Sequence, residues 1–395
     1  MCWPGPHQYT IGKTKAGNPS RPRSVASPGP EAPVLICFSH LRWGFVYQRP
    51  QHLMSRFATT HRVLYMEEPV PTDQPEPWLE VRDEEGLRVL VPRLPEACQH
   101  ESAIQAQRAL LDRYLAPLAP RDLVAWYYSP MSLDFSSHLE PRLVVYDCMD
   151  ELSAFKGAPP ELLEYERRLM DRADVVFTGG VSLFEAKRVL HANVHPFPSS
   201  VDVAHFATAR EALTEPRDQA DIAGPRLGFY GVIDERLDLE LLAEMATQRP
   251  DWQFVLVGPV VKIDPATLPR KDNIHYLGGK TYDELPNYLA GWDVALMPFA
   301  LNESTRFISP TKTPEYLAGG RPVVSTPITD VVRTYGDTAI VRIARTAPEF
   351  IAAIEAALDD ARDRDQVLQT ADRILKDMSW DNTWKLMEEK MQCAV

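Results

Sequence analysis

Short apolar runs alternate with longer amphipathic segments along most of the chain after residue 33. The first apolar runs are VLICFSH (34–40), RVLYMEEP (62–69), LRVLVP (87–92), DLVAWYYSP (122–130), RLVVYDCMD (142–150) and ADVVFTGG (173–180). Runs this short and this apolar are typical of strands buried on both faces of a parallel sheet. The segments between them, such as ESAIQAQRALLDRYLAPL, have the apolar spacing of helices. The pattern predicts an α/β fold built on a doubly wound parallel sheet.

The alternation loosens between residues 195 and 225, which are rich in Pro, Ala and charge, and then returns. The later apolar runs are RLGFYGVI, WQFVLVGP, NIHYLGG, DVALMPFA, RPVVSTPI and TAIVRIA. We predict two Rossmann-like domains, 34–200 and 227–378, with a linker at 201–226 and a C-terminal helix at 379–395 that packs on either domain. Ligands of such domains bind at the carboxyl ends of strands, so we expect the two domains to face a binding cleft.

Composition and charge exclude several classes of protein. The 395 residues are 45% hydrophobic and 25% charged, as in globular proteins, and the net charge of −13 argues against nucleic acid as a partner. The five cysteines show no CxxC spacing, which disfavours a zinc site or a disulfide framework and favours the cytoplasm. No apolar run approaches the roughly 18 residues of a membrane span. Residues 1–33 lack the apolar core of a signal peptide and are expected to form a disordered leader.

The stretch ISPTKTPEYLAGGRPVVST (308–326) combines a helix start, a helix end and a buried strand. Ser or Thr followed by Pro favours a helix that begins at Ser309 or at Thr313, and the glycine pair at Gly319 favours its end. Lys312 stands at the start of this helix, where the helix dipole is positive and a cation is disfavoured. The position of this lysine therefore needs an explanation.

A bound phosphate supplies one explanation for Lys312. The stretch follows the predicted strand DVALMPFA, so it lies at the carboxyl edge of the sheet. Backbone N–H groups there, with Ser309, Thr311 and Lys312, form an anion site, and Glu315 accepts hydrogen bonds from a vicinal diol such as a ribose. The alternative is that Lys312 is solvated and Glu315 only favours the first turn. The local sequence leaves both interpretations open.

Several motifs in a fixed order carry a resemblance to a known family. They are WGFVYQRPQHLMSRFA, ADVVFTGGVSLFEAKR, LGFYGVIDERLDLELL, FVLVGP, NIHYLGGKTYDELPNYLAGWDVALMPF and SPTKTPEYLAGGRPVVST. In this order they resemble the GT-B-fold glycosyltransferases of the family-4 type, in particular bacterial enzymes of envelope polysaccharide synthesis such as the teichuronic acid glycosyltransferases. The resemblance covers roughly residues 34 to 393.

The resemblance implies a function for each domain. The C-terminal domain binds a nucleotide-sugar, a UDP- or GDP-sugar, and the N-terminal domain receives a carbohydrate or lipid-linked acceptor. Such enzymes neutralise the leaving diphosphate with basic side chains and a helix N-terminus, so neither a metal nor a cofactor is expected. A lipid-linked acceptor would bring the protein to the inner face of the membrane, and such a peripheral contact is left open.

The resemblance also names donor-binding residues by position. Glu315 matches the second of the family's paired glutamates, which binds the ribose. Further matches are Gly231 and Gly258 after the first two strands of the C-terminal domain, and Gly279 and Lys280 beside the base. Two positions depart from the pattern: Phe307 replaces the first glutamate of the pair, and Val232 replaces the usual arginine after Gly231. Arg236 and Lys312 are then the side chains that supply positive charge.

Candidate catalytic residues end two strands of the N-terminal domain. VVYDCMDEL places Asp147 and Asp150 at a carboxyl edge, where one carboxylate acts as general base on an acceptor hydroxyl and the other caps the next helix. His40, at the end of the first strand, is the rival base, since imidazole titrates near neutrality. Its alternative is a structural histidine bonded to a loop carbonyl. The choice of base is open.

Candidate acceptor-binding residues follow that first strand. Trp43 suits stacking on a sugar face, and Gln48 and Arg49 suit polar groups or a phosphate on the acceptor. The alternative is a loop packed onto the first helix. Two other functions also fit the two-domain scaffold: a nucleotide-sugar epimerase or hydrolase, and a non-catalytic sugar-nucleotide-binding protein, which Phe307 and Val232 favour.

Overall fold

The computed structural model describes residues 28–394 except positions 30, 85, 119, 121 and 212. The predicted leader, 1–33, lies almost entirely outside the described residues. The described chain divides into two compact units, and each is described by itself below. The first contains residues 28–198 together with 383–394, and the second contains Ser199–Asn382.

The first unit is built on a nine-stranded sheet in the described residues. Its strands are β1 (Val34–Ser39), β2 (Arg62–Glu67), β3 (Val70–Thr72), β4 (Trp78–Glu84), β5 (Leu87–Pro95), β6 (Leu123–Tyr127), β7 (Leu143–Cys148), β8 (Val175–Thr178) and β9 (Val194–Pro196). The order is β3-β5-β2-β1-β6-β7-β8-β9, and β4 pairs with β5. Every pair is parallel except β4 with β5. All six apolar runs predicted in this unit form strands.

Helices cover the sheet of the first unit. They are α1 (Arg49–Phe57), α2 (Glu101–Leu115), α3 (Leu133–Ser136), α4 (Leu162–Arg172) and α5 (Val181–Lys187). The central strands are buried on both faces, as the unbroken apolar runs predict: all residues of β1, β6 and β7 are buried. The last helix of the chain, α14 (Trp380–Cys393), groups with this unit from Thr383 onwards. There the ring of Trp384 lies 6.2 Å from that of Phe57.

The second unit is built on a six-stranded, fully parallel sheet in the described residues. Its strands are β10 (Arg226–Tyr230), β11 (Gln253–Val257), β12 (Ile274–Tyr276), β13 (Val294–Met297), β14 (Val323–Ser325) and β15 (Val341–Ile343). Their order is β12-β11-β10-β13-β14-β15. Each of the six later apolar runs contains one of these strands.

Eight α-helices belong to the second unit in the described residues. They are α6 (Val203–Ala207), α7 (Arg217–Ala220), α8 (Leu239–Gln248), α9 (Leu285–Ala290), α10 (Lys312–Ala318), α11 (Thr329–Tyr335), α12 (Ala347–Asp360) and α13 (Arg364–Leu375). Two of them, α6 and α7, lie in the segment 201–226 that the sequence assigns to a linker. This segment groups with the second unit, because His205 stacks on Tyr282 at 4.3 Å and Gln219 accepts a hydrogen bond from Trp292 at 2.9 Å.

Each sheet has one point where the order of the strands reverses. The chain starts a sheet at β1 or β10, adds strands on one side, and then continues on the other side from β6 or β13. In open α/β sheets the loops at the carboxyl ends of the strands around such a point diverge and leave room for a ligand. The loops after β1 and β6 in the first unit, and after β10 and β13 in the second, are therefore where binding sites are expected.

Candidate functional site

Three loops of the second unit are bonded to one another at its switch point. Ile233, after β10, donates its backbone N–H to the carbonyl of Pro259, after β11, at 2.9 Å. Asp238 donates to the carbonyl of Pro298, after β13, at 2.8 Å, and Ala300 donates back to the carbonyl of Arg236 at 2.8 Å. These bonds fix the loop 231–238 between its two neighbours.

The helix predicted after β13 is present, but it begins at Lys312, between the two predicted starts at Ser309 and Thr313, and its N-cap residue is Thr311. Gly319 follows its last residue, as expected. Ser309 lies half-buried in the loop just before it. The side chain of Lys312 extends across Gly231, where a Cβ atom would lie 2.9 Å from Nζ and would collide with Cε. Gly231 also has a φ of 142°, so the loop after β10 requires glycine both for its backbone and for this lysine.

Glu315 lies one turn into the same helix and is buried, with 8% of its surface exposed. Burial raises the pKa of its carboxyl to about 7, although the charge of Lys312 and hydrogen bonding by Tyr230 and Thr311 oppose that rise. The structure thus brings Lys312, Glu315 and Gly231 together, as the sequence predicts. The sequence analysis did not identify Tyr230 as a site residue. The only feature of the sequence that points to it is its position directly before Gly231.

Arg236 is positioned by an acidic neighbour that the sequence analysis did not single out. Its guanidinium donates to Asp234 at 2.7, 3.0 and 3.1 Å, and Asp234 is 4% exposed. Arg236 itself is half-buried in the loop after β10. The pair holds the arginine at the switch point but offsets part of its charge, so Lys312 is the stronger candidate for a phosphate contact.

The remaining predicted donor residues lie after β11 and β12. Gly258 donates its N–H to the carbonyl of Gly278 at 2.8 Å, and a Cβ on Gly258 would collide with the carbonyl oxygen of Gly231. Gly279 is exposed. Lys280 donates to Asp218 of α7 at 2.6 Å and lies 5.2 Å from the ring centre of Tyr288. This ion pair occupies the ammonium group, so the contacts of Lys280 give no support to its assignment to the donor.

The predicted roles of Asp147 and Arg49 in the first unit are corrected. Arg49 donates from Nε and Nη2 to the Asp147 carboxylate at 2.8 to 3.1 Å, and from Nη1 to the carbonyl of Phe197 at 2.7 Å. The side chains are 3% and 0% exposed. A carboxylate and a guanidinium that are buried and fully paired can reach neither an acceptor hydroxyl nor an acceptor phosphate. They join α1 to β7 instead.

Asp150 and His40 lie at the same edge of the first sheet. His40 follows β1 and Asp150 follows β7, and both are half-buried. Only β6 separates those strands, which places the strands about 10 Å apart. Asp150 is close enough to Arg49 to affect its pKa. Both residues therefore remain candidates for the general base.

The loop after β1 is fixed to β2 by a buried carboxylate. Glu67, 4% exposed, accepts from the backbone N–H of Trp43 at 2.8 Å and pairs with Arg42 at 3.1 Å. The ring of Trp43 lies edge-on to Tyr65 with centroids 5.0 Å apart. The backbone N–H of Gln48 donates to Gln51 at 3.1 Å at the start of α1. These contacts agree with the interpretation of a packed loop, and they leave the acceptor roles of Trp43 and Gln48 as predictions.

The described residues contain no group of three or more His, Cys, Asp or Glu side chains placed to hold a metal ion. Nor does any helix among them combine the length and apolar character that crossing a bilayer requires.

The second unit is similar to a known family of proteins. Residues 224–360 match the family model described as glycosyl transferases group 1. The chain is also 29% identical over 253 residues to TuaH of Bacillus subtilis (strain 168), which is named for teichuronic acid biosynthesis as a glycosyltransferase. The match covers 59% of this chain and 63% of TuaH, so the chain spans less than two thirds of the length of that relative.

Solved structures match over nearly the whole chain. Sucrose-phosphate synthase from Thermosynechococcus elongatus has a TM-score of 0.67 at 16% identity, covering 91% of this chain and 98% of its own. HepE from Anabaena, solved in complex with UDP, has a TM-score of 0.63 at 14% identity, covering 91% and 100%. At such identities the likeness establishes the fold and not the substrate. The chain has the GT-B fold that the sequence predicts, and its residues 224–360 match the glycosyl transferases group 1 model.

Proposed function

We propose that the protein is a glycosyltransferase that moves a sugar from a nucleotide-diphosphate sugar to a carbohydrate or lipid-linked acceptor. The observation that carries the proposal is the convergence of Lys312, Glu315 and Gly231 at the switch point of the second unit. The ammonium group of Lys312 suits a phosphate, because Gly231 beside it has no side chain to block a ligand. The buried carboxyl of Glu315, one helical turn further on, suits a diol. A nucleoside diphosphate presents these two groups a few ångströms apart.

The site residues support the departure of a nucleoside diphosphate. Lys312 would neutralise the negative charge that develops on the diphosphate as the bond to the sugar breaks, and Arg236 would add a second, weaker charge. Glu315 would accept from the ribose hydroxyls and orient the nucleotide. No step of this scheme calls for a metal ion, and we propose that none takes part.

In the first unit, Asp150 is our proposed general base. An ionised carboxylate after β7 would take the proton of the acceptor hydroxyl as that hydroxyl attacks the sugar. His40 is the alternative base at the same edge. The proposed acceptor contacts are Trp43 and Gln48 in the loop after β1. This loop is accessible to a ligand, since Phe45 within it has 40% of its surface exposed.

The likeness to TuaH supports an acceptor in bacterial envelope or exopolysaccharide synthesis. HepE, which shares the fold, is solved with UDP and glucose, and we propose a UDP- or GDP-sugar as the donor. We propose a cytoplasmic site of action, at the inner face of the membrane if the acceptor is lipid-linked.

One observation favours a second candidate, a non-catalytic protein that binds sugar nucleotides. Phe307 stands where the resemblance predicts the first of two paired glutamates, and Arg306 covers its ring at 5.0 Å. Binding without turnover would follow if that carboxylate were indispensable for transfer.

Titration calorimetry with UDP, GDP, ADP and dTDP, without added metal, tests the donor site. We expect one of these nucleotides to bind and Lys312→Ala to weaken it. Release of the nucleotide from the matching sugar donor, measured with and without glycan acceptors, then separates the candidates. Acceptor-dependent release supports the transferase, release without acceptor indicates a hydrolase, and binding without release indicates the non-catalytic protein. No binding by the folded protein would refute all three.

A further inference from the structure

The ring of Tyr230 is fixed at the end of β10 by three other aromatic side chains. Its centroid lies 4.7 Å from that of Tyr316, 5.7 Å from Trp292 and 6.1 Å from Phe206. Tyr316 also accepts the backbone N–H of Tyr230 at 3.0 Å through its hydroxyl. Only 3% of Tyr230 is exposed. A ring held on all these sides presents its hydroxyl in one direction.

That hydroxyl is buried and has no hydrogen-bond partner within bonding geometry. A buried hydroxyl of this kind is uncommon, because its desolvation is not offset. Burial raises the pKa of Tyr230 well above its ordinary value, and the charge of Glu315 raises it further. The phenol lies beside the Glu315 carboxyl, close enough to lower the pKa of that carboxyl, and no fully aligned hydrogen bond joins the two.

We propose that Tyr230 is a positioning residue: its O–H donates to the Glu315 carboxylate when a cis-diol ligand is bound, and so fixes the oxygen that accepts from the diol. The inference rests on the proposed function, since it takes Glu315 to contact a ribose. The hydrogen bond would also favour the ionised carboxylate, which is the better acceptor.

Few other ionisable groups surround Glu315. Lys312 precedes it on α10, and Tyr316 follows it. From the packed elements, α6 contributes His205, which is bonded to the carbonyl of Tyr282 at 3.1 Å. The charged residues of α13 are Arg364, Asp365, Asp372 and Arg373, and Asp372 pairs with Arg210 at 2.7 Å. The strands β13 and β14 contribute no charged side chain. Burial is the main cause of the raised pKa of Glu315, and Lys312, Tyr230 and Thr311 are the neighbours that lower it.

The test compares the full chain with its Tyr230→Phe variant. UDP, GDP and ADP, each beside its 2′-deoxy form, are titrated by calorimetry from pH 5.5 to pH 9. We expect Tyr230→Phe to weaken the ribonucleotide about tenfold, to weaken the deoxy form less, and to move the pH at which affinity is half-lost upward. The ligand phosphate titrates in the same way with both proteins, so its effect cancels when the pH profiles of the variant and the wild type are compared. Tyr335→Phe removes a buried hydroxyl of the same unit, bonded to Met378 Sδ at 3.8 Å, and is the matched control.

Each possible outcome either supports or overturns the positioning role of Tyr230. An upward shift of the pH midpoint with reduced preference for the ribonucleotide, absent from the control, supports the positioning role. Wild-type affinity and an unchanged pH profile in Tyr230→Phe would overturn it while the proposed function stands. An equal loss for ribo and deoxy forms at every pH would also overturn it, since it indicates a general packing defect. Absence of nucleotide binding by the wild type would overturn the proposed function and this inference together.

Discussion

Lys312 is held at a position that is unfavourable for it without an anion. The helix dipole disfavours a cation in the first turn by about 0.3–1 kcal/mol. Glu315 offsets only a small part of this unfavourable interaction, because burial raises its pKa to about 7 and much of the carboxyl is protonated at neutral pH. A diphosphate placed against Lys312 would reverse the sign of the interaction with the dipole and would strengthen it. The residue is thus better suited to a ligand than to the stability of the fold.

Lys312→Ala is therefore expected to lower nucleotide affinity without lowering stability. Loss of a charge-assisted contact to a phosphate costs about 1.5–3 kcal/mol, or roughly ten- to a hundredfold in Kd. Calorimetry with the best-bound nucleotide measures it. Lys271→Ala, at an exposed position of the same unit, should bind as the wild type does. Equal affinities of Lys312→Ala and the wild type would remove the basis of the donor site.

Glu315→Gln is expected to stabilise the protein above neutrality while it impairs nucleotide binding. The folded state raises the pKa of Glu315 from 4.5 to about 7, so it binds the proton more tightly than the unfolded chain does. Stability then falls as pH rises from about 4.5 to about 7. Glutamine does not ionise, so the variant should gain on the order of 1–3 kcal/mol at pH 8 and much less at pH 5.

Differential scanning calorimetry across this pH range measures the difference between Glu315→Gln and the wild type. Glu240→Gln, at an exposed position on α8, should follow the wild-type curve. A difference for Glu315→Gln that does not change with pH would show that ionisation of Glu315 is not the cause.

At the scale of elements, the apolar runs predict nearly all of the parallel strands, because each central strand is buried on both faces. They miss β3 and β9, which are only three residues long. They also miss β4, whose sequence WLEVRDE alternates with charge and pairs antiparallel with β5. The segment 201–226 was assigned to a linker because α6 and α7 are only 5 and 4 residues long. Helices this short have too few turns to show a periodic pattern and depend on tertiary contacts.

The site was predictable where its residues are neighbours in sequence. Lys312 and Glu315 share one turn of a helix with a recognisable start, so sequence alone indicates that they act together. Tyr230 meets Tyr316 across 86 positions, and Arg49 meets Asp147 across 98 positions. Such pairs follow from the order of strands in the sheet, which a single sequence does not specify. Asp147 was therefore assigned to catalysis when it is a structural partner.

The buried pair between α1 and β7 gives a prediction at this scale. Asp147→Ala leaves the Arg49 guanidinium buried and unpaired, which costs about 3–5 kcal/mol. The double variant Arg49→Met, Asp147→Leu should lose less than Asp147→Ala alone, since no charge is left unpaired. Hydrogen exchange of peptides from α1 and β7 measures the local loss.

Asp171→Ala is the matched control for the buried pair. It breaks the exposed ion pair with Arg167 in the same unit, 2.9 Å long, and should change exchange little. If Asp147→Ala exchanged like the wild type and lost only activity, the structural assignment would be wrong and the catalytic one restored.

At the scale of the whole molecule, the proposal assigns binding and chemistry to different units. The contacts proposed for the nucleotide, from Lys312, Glu315 and Arg236, all lie within Ser199–Asn382, whereas the proposed base Asp150 lies in the first unit. A residue that acts only on the acceptor proton should not alter nucleotide affinity. Binding and transfer should consequently respond to different substitutions.

Asp150→Asn should leave nucleotide Kd within about twofold of the wild type and lower kcat for transfer by 10²- to 10⁴-fold, as for loss of a general base. The amide keeps the shape of the side chain but cannot take the acceptor proton. The same assay on His40→Gln separates the rival bases, because only loss of the true base should abolish the dependence of kcat on pH. A fall in nucleotide affinity in Asp150→Asn would instead make Asp150 a structural residue. Full transfer activity in Asp150→Asn, with loss in His40→Gln, would move the role to the histidine.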